Sequence, residues 1–368
     1  MKAKTVNPSL PVILLAILAL LAALWGGLVR IGWQLPALQP EIVLAHGALM
    51  VSGFLGTLIS LERAFALKRR WMFAGPVLSG MAGLAFILGL PLWIGQGLII
   101  LGGLVLVGIF IIIMRMHLAF YTVMMALGAL TWLGGNLLWL SGWDVYRLVL
   151  WWAGFLILTI AGERLELGRI LHLSRLVMGL FIAATGIFLA GLILLLFSFN
   201  PGSRVAGVGL LAMAIWLLRY DIARRTVRQA GLPRFAAVCL LSGYVWLGTG
   251  GIFLILFGGV IAGFRYDAVI HAIFLGFVMS MIFGHAPIIF PSLLGFQIHF
   301  RPSLYLQPIF LHLSLIARIA GDLSANSTLR RWGGLFNEIA ILIFLGMTIY
   351  QVFQSYKGSL NTKREMAT

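Results

Sequence analysis

The sequence predicts an all-α membrane protein that crosses the bilayer twelve times and forms a single membrane domain over residues 1–368. Two observations predict this class. Of the 368 residues, 61% are hydrophobic and only 10% are charged, and the mean hydropathy of +1.06 lies far above that of water-soluble domains. Apolar stretches of about 20 residues, long enough to cross roughly 30 Å of hydrocarbon as a helix, recur along the whole chain.

Twelve such stretches can be delimited. They cover approximately residues 10–32, 41–66, 72–90, 93–114, 118–141, 146–166, 176–198, 204–220, 236–263, 268–290, 303–321 and 332–353. The first follows a Lys-bearing start, as a signal peptide would, but no small-residue cleavage site ends it, so we expect a retained span. Cys239, the only cysteine, lies inside the ninth stretch, which excludes a disulfide framework and a cluster of metal-binding thiolates.

The net charge of +16 is explained by membrane topology better than by nucleic-acid binding. Of the 26 Lys and Arg residues, 19 fall at the two termini and in the even-numbered loops, and 7 fall in the odd-numbered loops. The positive-inside rule then predicts that both termini are cytoplasmic, and the basic loops are expected to lie beside anionic membrane lipid. No nucleic-acid partner is expected.

A short motif recurs three times and predicts a threefold repeat of four helices, with units at about 10–114, 118–220 and 236–353. In each of the second, sixth and tenth helices, a Gly-Phe pair is followed, after six residues, by a tripeptide that contains an ionisable residue. These pairs and tripeptides are Gly53-Phe54 with Leu61-Glu62-Arg63, Gly154-Phe155 with Gly162-Glu163-Arg164, and Gly276-Phe277 with Gly284-His285-Ala286. The helix before each carries a Trp-Gly motif, at Trp25-Gly26-Gly27, Trp132 to Gly135 and Trp246 to Gly251.

The repeat predicts that Glu62, Glu163 and His285 lie at one depth, at the cytoplasmic ends of three corresponding helices. Ionisable groups there are costly unless they face the bundle interior or each other. Three readings are open. The carboxylates pair with Arg63, Arg164 or other basic groups and simply close the helix ends, or the three groups bind a metal such as copper or non-haem iron, or they transfer protons.

Two further histidines are predicted at similar depth near the outer side. His46 lies seven residues before the Gly-Phe pair of its helix, and His271 five residues before that of its own helix. Two imidazoles at one depth can bind a haem iron from both faces, and the apolar porphyrin suits a bundle interior. The alternative is two histidines hydrogen-bonded to neighbouring helices. The two-residue register difference requires a local irregularity, for which Gly47 and Gly53 are suited.

The eleventh helix adds polar groups to the same half of the chain. His312, near mid-membrane, is a candidate ligand of a second cofactor or a hydrogen-bond partner of the first. Arg318 and Asp322 end this helix on the outer side. Arg318 is suited to binding haem propionates, and the alternative is an i,i+4 pair with Asp322 that anchors the helix end. The remaining histidines are expected to be interfacial: His117, His172 and His299.

At these residues the sequence resembles the NnrS family, itself similar to the haem-copper oxidase subunit I superfamily. The resembling segments are "AHGALMVSGF", "MALGALTWLGGNLLWL", "GFLILTIAGERLELGRI", "HAIFLGFVMSMIFGHAPIIF" and "FLHLSLIARIAGDL". The resemblance implies an oxidase-like plan of twelve helices and a haem-bearing protein of the bacterial inner membrane, associated with nitric oxide metabolism or tolerance. It also implies that His46 and His271 hold the low-spin haem.

The departures from that superfamily limit the expected chemistry. Its second metal is held by histidines of the sixth and seventh helices, and this chain has no histidine in either predicted helix. Oxygen reduction is therefore not expected. The resemblance also implies a second histidine two residues after the first, where this chain has Ala48.

Three hypotheses of function follow. The leading one is a haem b protein that binds a small diatomic ligand or passes electrons to or from a redox partner protein; a membrane oxidoreductase stays open within it. The second is a transporter or assembly factor for metal, haem or an ion, using Glu62, Glu163 and His285, with Pro287 favouring an interrupted helix beside His285. The third is a structural subunit whose polar groups serve packing.

Overall fold

The computed structural model of the protein describes residues 9–36, 39–294 and 299–365. Within these ranges, twelve helices are long and apolar enough to cross a membrane, and no strand occurs. They are α1 (Ser9–Arg30), α2 (His46–Leu67), α3 (Arg70–Ile87), α4 (Leu92–Met116), α5 (Phe120–Leu140), α6 (Val145–Leu171), α7 (Arg175–Leu195), α8 (Phe199–Tyr220), α9 (Leu232–Phe257), α10 (Gly263–Ile289), α11 (Pro302–Leu323) and α12 (Ser327–Ser355). The prediction of an all-α, multi-pass membrane protein is confirmed.

The helices carry apolar side chains outside and polar ones inside, as a lipid solvent requires. Leu18, Leu104 and Ile193 are about half exposed, whereas Ser52 and Asn136 are fully buried. Lipid offers no hydrogen bonds, so polar groups are stable only where protein or water satisfies them. The functional residues are therefore expected among the buried polar side chains.

The chain forms two compact units, residues 1–166 and 167–368, whose boundary lies within α6. In the first unit, α1, α2 and α3 meet at small residues. A Cβ added at Gly53 of α2 would lie 2.9 Å from the Cβ of Ala19 and 3.4 Å from the Cα of Gly83. Small residues let helix backbones approach closely in a membrane, where van der Waals packing replaces the hydrophobic effect as a driving force.

In the second unit, α7 and α8 also approach each other closely at glycine residues. A Cβ at Gly191 would lie 2.3 Å from the backbone nitrogen of Ala206, and one at Gly209 would lie 2.4 Å from that of Phe188. Between α11 and α12, a Cβ at Gly333 would lie 2.5 Å from the backbone nitrogen of Arg318. This last contact brings the polar end of α11 against α12.

Two helices contain π-helical segments in the same sequence register. In α2 the segment is Leu49–Gly56, and in α10 it is Ala272–Met279. Each has eight residues and begins four residues before the glycine of its Gly-Phe pair. In α6, by contrast, Val145–Gly168 is a continuous α-helix. A local irregularity is therefore present near Gly53, but α10 has one of equal length in the same register, so the two-residue difference between His46 and His271 stays.

The ends of α2 and α10 differ from the sequence prediction in detail. A separate short helix, Pro40–Leu44, precedes α2, and the two are divided at Ala45, which has φ −85° and ψ 5°. The interruption expected at Pro287 is absent, because Ser280–Leu294 is one helix. A proline ring removes one backbone donor, and a membrane helix tolerates this where neighbouring groups satisfy the freed carbonyl.

Candidate functional site

His46 lies at the first residue of α2, partly buried against α1. Its Nδ1 is 2.7 Å from the backbone oxygen of Ala23. A carbonyl oxygen only accepts hydrogen bonds, so Nδ1 carries the proton and donates it, which leaves the lone pair on Nε2. This is the tautomer in which Nε2 can bind a metal.

His271 of α10 has the same arrangement. Its Nδ1 donates to the backbone oxygen of Asp267 at 2.8 Å and lies 3.3 Å from the carboxylate oxygen Oδ1 of the same residue. Metal-binding histidines almost always donate their other ring N–H to a carbonyl or carboxylate, which fixes the ring orientation and raises its basicity. His271 meets this requirement with both kinds of acceptor on one residue.

Asp267 is the centre of a buried charge network that joins α10, α11 and α12. Arg318 donates to its carboxylate from Nε at 2.8 Å and from Nη2 at 3.0 Å, and Arg330 donates from Nη2 at 3.1 Å. The Nε of Arg330 lies 3.1 Å from Asp322, and its guanidinium lies 5.2 Å from the ring centroid of Phe264. Two carboxylates are thus balanced by two guanidinium groups in the interior of the second unit.

The network differs from the pairing considered for Arg318 in the sequence. The alternative of an i,i+4 pair between Arg318 and Asp322 is wrong. Arg318 pairs with Asp267, and Asp322 pairs with Arg330. Sequence reasoning missed Asp267 and Arg330. One signal was present: an aspartate stands four residues before His271 in a chain with only 10 acidic residues. The proposed contact of Arg318 with haem propionates stays a prediction.

His312 of α11 has both ring nitrogens in hydrogen bonds. Trp246 of α9 donates from Nε1 to Nδ1 at 3.0 Å, so the proton is on Nε2, which donates to the Ser242 hydroxyl at 2.9 Å. That hydroxyl in turn donates to the backbone oxygen of Val238 at 2.9 Å. A metal at His312 would have to replace one of these bonds, so the side chain is better suited to joining α9 to α11 than to binding a second cofactor.

Glu62 and Glu163 both lie beside the guanidinium group of Arg63. Arg63 Nη2 donates to Glu163 on α6, and it is 3.4 Å from a carboxylate oxygen of Glu62. This is the ion-paired arrangement of the first of the three readings. His285, in the second unit, is buried, and its Nδ1 donates to the backbone oxygen of Met281 at 2.7 Å. Among the described residues, no group of three or more His, Cys, Asp and Glu side chains is placed to hold a metal ion.

Comparison with known proteins gives one match. The model of a family described as Domain of unknown function (DUF8744) matches residues 9–353. No curated protein and no solved structure matches the chain.

Proposed function

We propose that this chain, which belongs to the family described as Domain of unknown function (DUF8744), is a haem b-binding membrane protein with His46 and His271 as the axial ligands. One observation carries the proposal. Each histidine donates Nδ1–H to a backbone carbonyl and stands within three residues of a π-helical segment of matched register. The corresponding helix α6 has neither a histidine nor such a segment in Val145–Gly168.

The donor chemistry of the two side chains fits a haem iron. Imidazole is the commonest axial ligand of haem proteins, and the Nδ1–carbonyl bonds leave Nε2 as the basic nitrogen in both rings. Only an acceptor-type nitrogen can bind the iron, so a histidine held in the opposite tautomer would not fit. The carboxylate of Asp267, 3.3 Å from Nδ1 of His271, adds negative charge beside that ligand.

The π-helical segments support the further proposal of a four-helix repeat and an oxidase-like plan. π-helices are rare, and they are frequent at functional sites, because the extra residue in the turn changes the direction of the side chains around it. Two segments of equal length at one position relative to a Gly-Phe pair are expected if the helices descend from a common unit. The resemblance to the NnrS family supports the same plan and an association with nitric oxide.

A haem held by both histidines would supply reversible one-electron transfer, because no ligand position on the iron would be left for a gas. The chain's own residues would then hold the haem within the helices, keep both imidazoles in the metal-binding tautomer and exclude water. Electrons would come from or pass to a redox partner protein at the bacterial inner membrane. Both termini are proposed to be cytoplasmic, on the distribution of Lys and Arg.

The test is a reduced-minus-oxidised optical spectrum of the detergent-purified protein, with iron and copper counted by mass spectrometry on the same sample. A b-type spectrum with iron in stoichiometric amount is expected, and it should be lost in His46→Ala and in His271→Ala. The matched control is His117→Ala, which removes an exposed histidine at the end of α4 and should leave the spectrum unchanged.

Two results would contradict the proposal. A folded protein without a Soret band would exclude haem, and a spectrum that survives both substitutions would exclude these ligands. A stoichiometric metal without haem would instead favour the metal, haem or ion transporter, or assembly factor, that uses Glu62, Glu163 and His285.

A further inference from the structure

Two helices of the first unit, α2 and α6, present rows of side chains at helical spacing. Ser52, Gly56, Ser60 and Arg63 follow one another at intervals of four, four and three residues along α2. Phe155, Thr159 and Glu163 follow at intervals of four along α6. Residues three or four apart in an α-helix lie on one face, so the α6 row forms one strip and Ser60 and Arg63 lie on one face of α2. Ser52 and Gly56 belong to the π-helical segment, and their contacts with Trp132 place them along the same side of α2.

The two strips are joined at both ends. At one end, Trp132 of α5 donates from Nε1 to the Ser52 hydroxyl at 2.9 Å and stacks on Phe155 with ring centroids 4.8 Å apart. A Cβ at Gly56 would lie 2.6 Å from the same indole, so the α2 strip is held against it. At the other end, Arg63 pairs with Glu163. The two strips therefore border one seam.

Ser60 and Thr159 occupy the middle of this seam. Ser60 lies three residues before Arg63, about 4.5 Å along the helix, and Thr159 lies four residues before Glu163, about 6 Å along its helix. The third side is formed by α5 at Gly128, where an added Cβ would lie 3.0 Å from the Thr159 hydroxyl oxygen. Gly128 therefore lets α5 approach α6 closely beside that hydroxyl.

Three polar atoms of the seam are buried without a hydrogen bond to any described residue. They are the hydroxyl oxygens of Ser60 and Thr159, which are 0% and 1% exposed as residues, and Nε of Arg63. Helical Ser and Thr commonly donate to a carbonyl one turn back, as Thr131 donates to Gly128 at 2.8 Å. Ser60 and Thr159 make no such bond, and a polar group buried in this way is costly unless water binds it.

We propose that this seam is an internal water site, with water bound by Ser60, Thr159 and Nε of Arg63. Two hydroxyls and one N–H from the two facing helices supply the two to four polar partners that a buried water requires. Water enters at the Arg63–Glu163 pair, whose side chains are 13% and 18% exposed, and the site ends at the Trp132–Ser52 bond. The first unit is thus hydrated for about one helical turn inward from its Arg63 end, to the depth of Ser60 and Thr159.

Hydrogen–deuterium exchange at engineered thiols tests the proposal. Because Cys239 is the only cysteine, Cys239→Ala gives a thiol-free background. Ser60→Cys and Thr159→Cys then each place one thiol in the seam, and the infrared S–H stretch reports its exchange after transfer to D₂O. Ala64→Cys is the matched control, because Ala64 is fully buried, lies nearer the end of α2 than Ser60 and packs in an apolar cluster with Met72 and Ile109.

We expect the two seam thiols to exchange at least tenfold faster than the Ala64→Cys thiol. Equal rates would overturn the proposal, because depth alone favours the control. A second measurement uses the otherwise native chain and applies even if a cysteine variant does not fold. Ser60→Ala should lower the melting temperature if the hydroxyl binds water, whereas a rise would show a dry, unsatisfied hydroxyl and refute the water site.

Discussion

Replacing Asp267 by asparagine removes the negative charge that holds Arg318 and Arg330 together. The asparagine amide is nearly isosteric, but it has one oxygen in place of two and directs an NH₂ group toward guanidinium donors. Three hydrogen bonds to the carboxylate, at 2.8, 3.0 and 3.1 Å, are therefore disrupted together. The substitution tests whether the network holds α10, α11 and α12 in one arrangement.

Removing one partner of a buried ion pair costs about 3–5 kcal/mol, because the remaining charge is left uncompensated. The Asp267 and Arg318 side chains are 10% and 8% exposed, so the pair falls in this class. Arg330 is 21% exposed and keeps Asp322 as a partner, which reduces the loss at that position. We therefore expect Asp267→Asn to lower the free energy of unfolding by about 3 kcal/mol, the lower end of that range.

The assay is reversible unfolding of the purified protein in mixed micelles, followed by tryptophan fluorescence and by circular dichroism. Asp144→Asn is the matched control, because Asp144 is exposed in a loop and its substitution should change the free energy of unfolding by less than about 0.5 kcal/mol. A loss below about 1 kcal/mol for Asp267→Asn would refute the reasoning, since it would place the pair among weak surface ion pairs.

Two further predictions concern packing. Gly191→Ala should lower the free energy of unfolding by about 1–3 kcal/mol, because its Cβ would lie 2.3 Å from the backbone of Ala206. Gly186→Ala, on the same helix and with nothing within 4 Å of its Cβ, should leave the free energy of unfolding unchanged or raise it. Equal effects of the two substitutions in the same unfolding assay would contradict the prediction. Trp132→Phe should cost more than about 1 kcal/mol, because it removes the bond to Ser52 and also leaves a space where the larger, fully buried indole stood; an unchanged unfolding midpoint would show that neither contributes.

The helices could be predicted from the sequence because hydropathy is a local property. A run of apolar residues defines a span whatever it packs against, and each of the twelve predicted segments corresponds to one described helix, with ends that differ by at most six residues. The Arg63–Glu163 pair could also be predicted from the sequence, because both residues end hydrophobic segments in the same motif. Such pairs need no knowledge of the fold beyond the topology.

The remaining features depend on contacts between distant parts of the chain. Asp267 lies one residue before the predicted start of its helix and 51 residues from Arg318, and no sequence pattern connects the two. The bond from Trp246 to His312 spans 66 residues. An irregularity near Gly53 was expected from the register of the histidines, but its π-helical form and the second segment in α10 were not, because hydrophobic periodicity cannot distinguish a turn with one extra residue when every face of the helix is apolar.

The π-helical segment of α2 makes the side-chain directions at the two ends of the helix independent of each other. One residue of an α-helix corresponds to about 100° of rotation about the helix axis. Extra residues in a turn therefore rotate the side chains that precede the turn relative to the side chains that follow it. Arg63 is aimed by the α-helix that follows the segment, and His46 by the short stretch that precedes it. The histidine can therefore be directed at Ala23 of α1 while the arginine is directed at α6, two directions that a regular helix of the same length would have tied together.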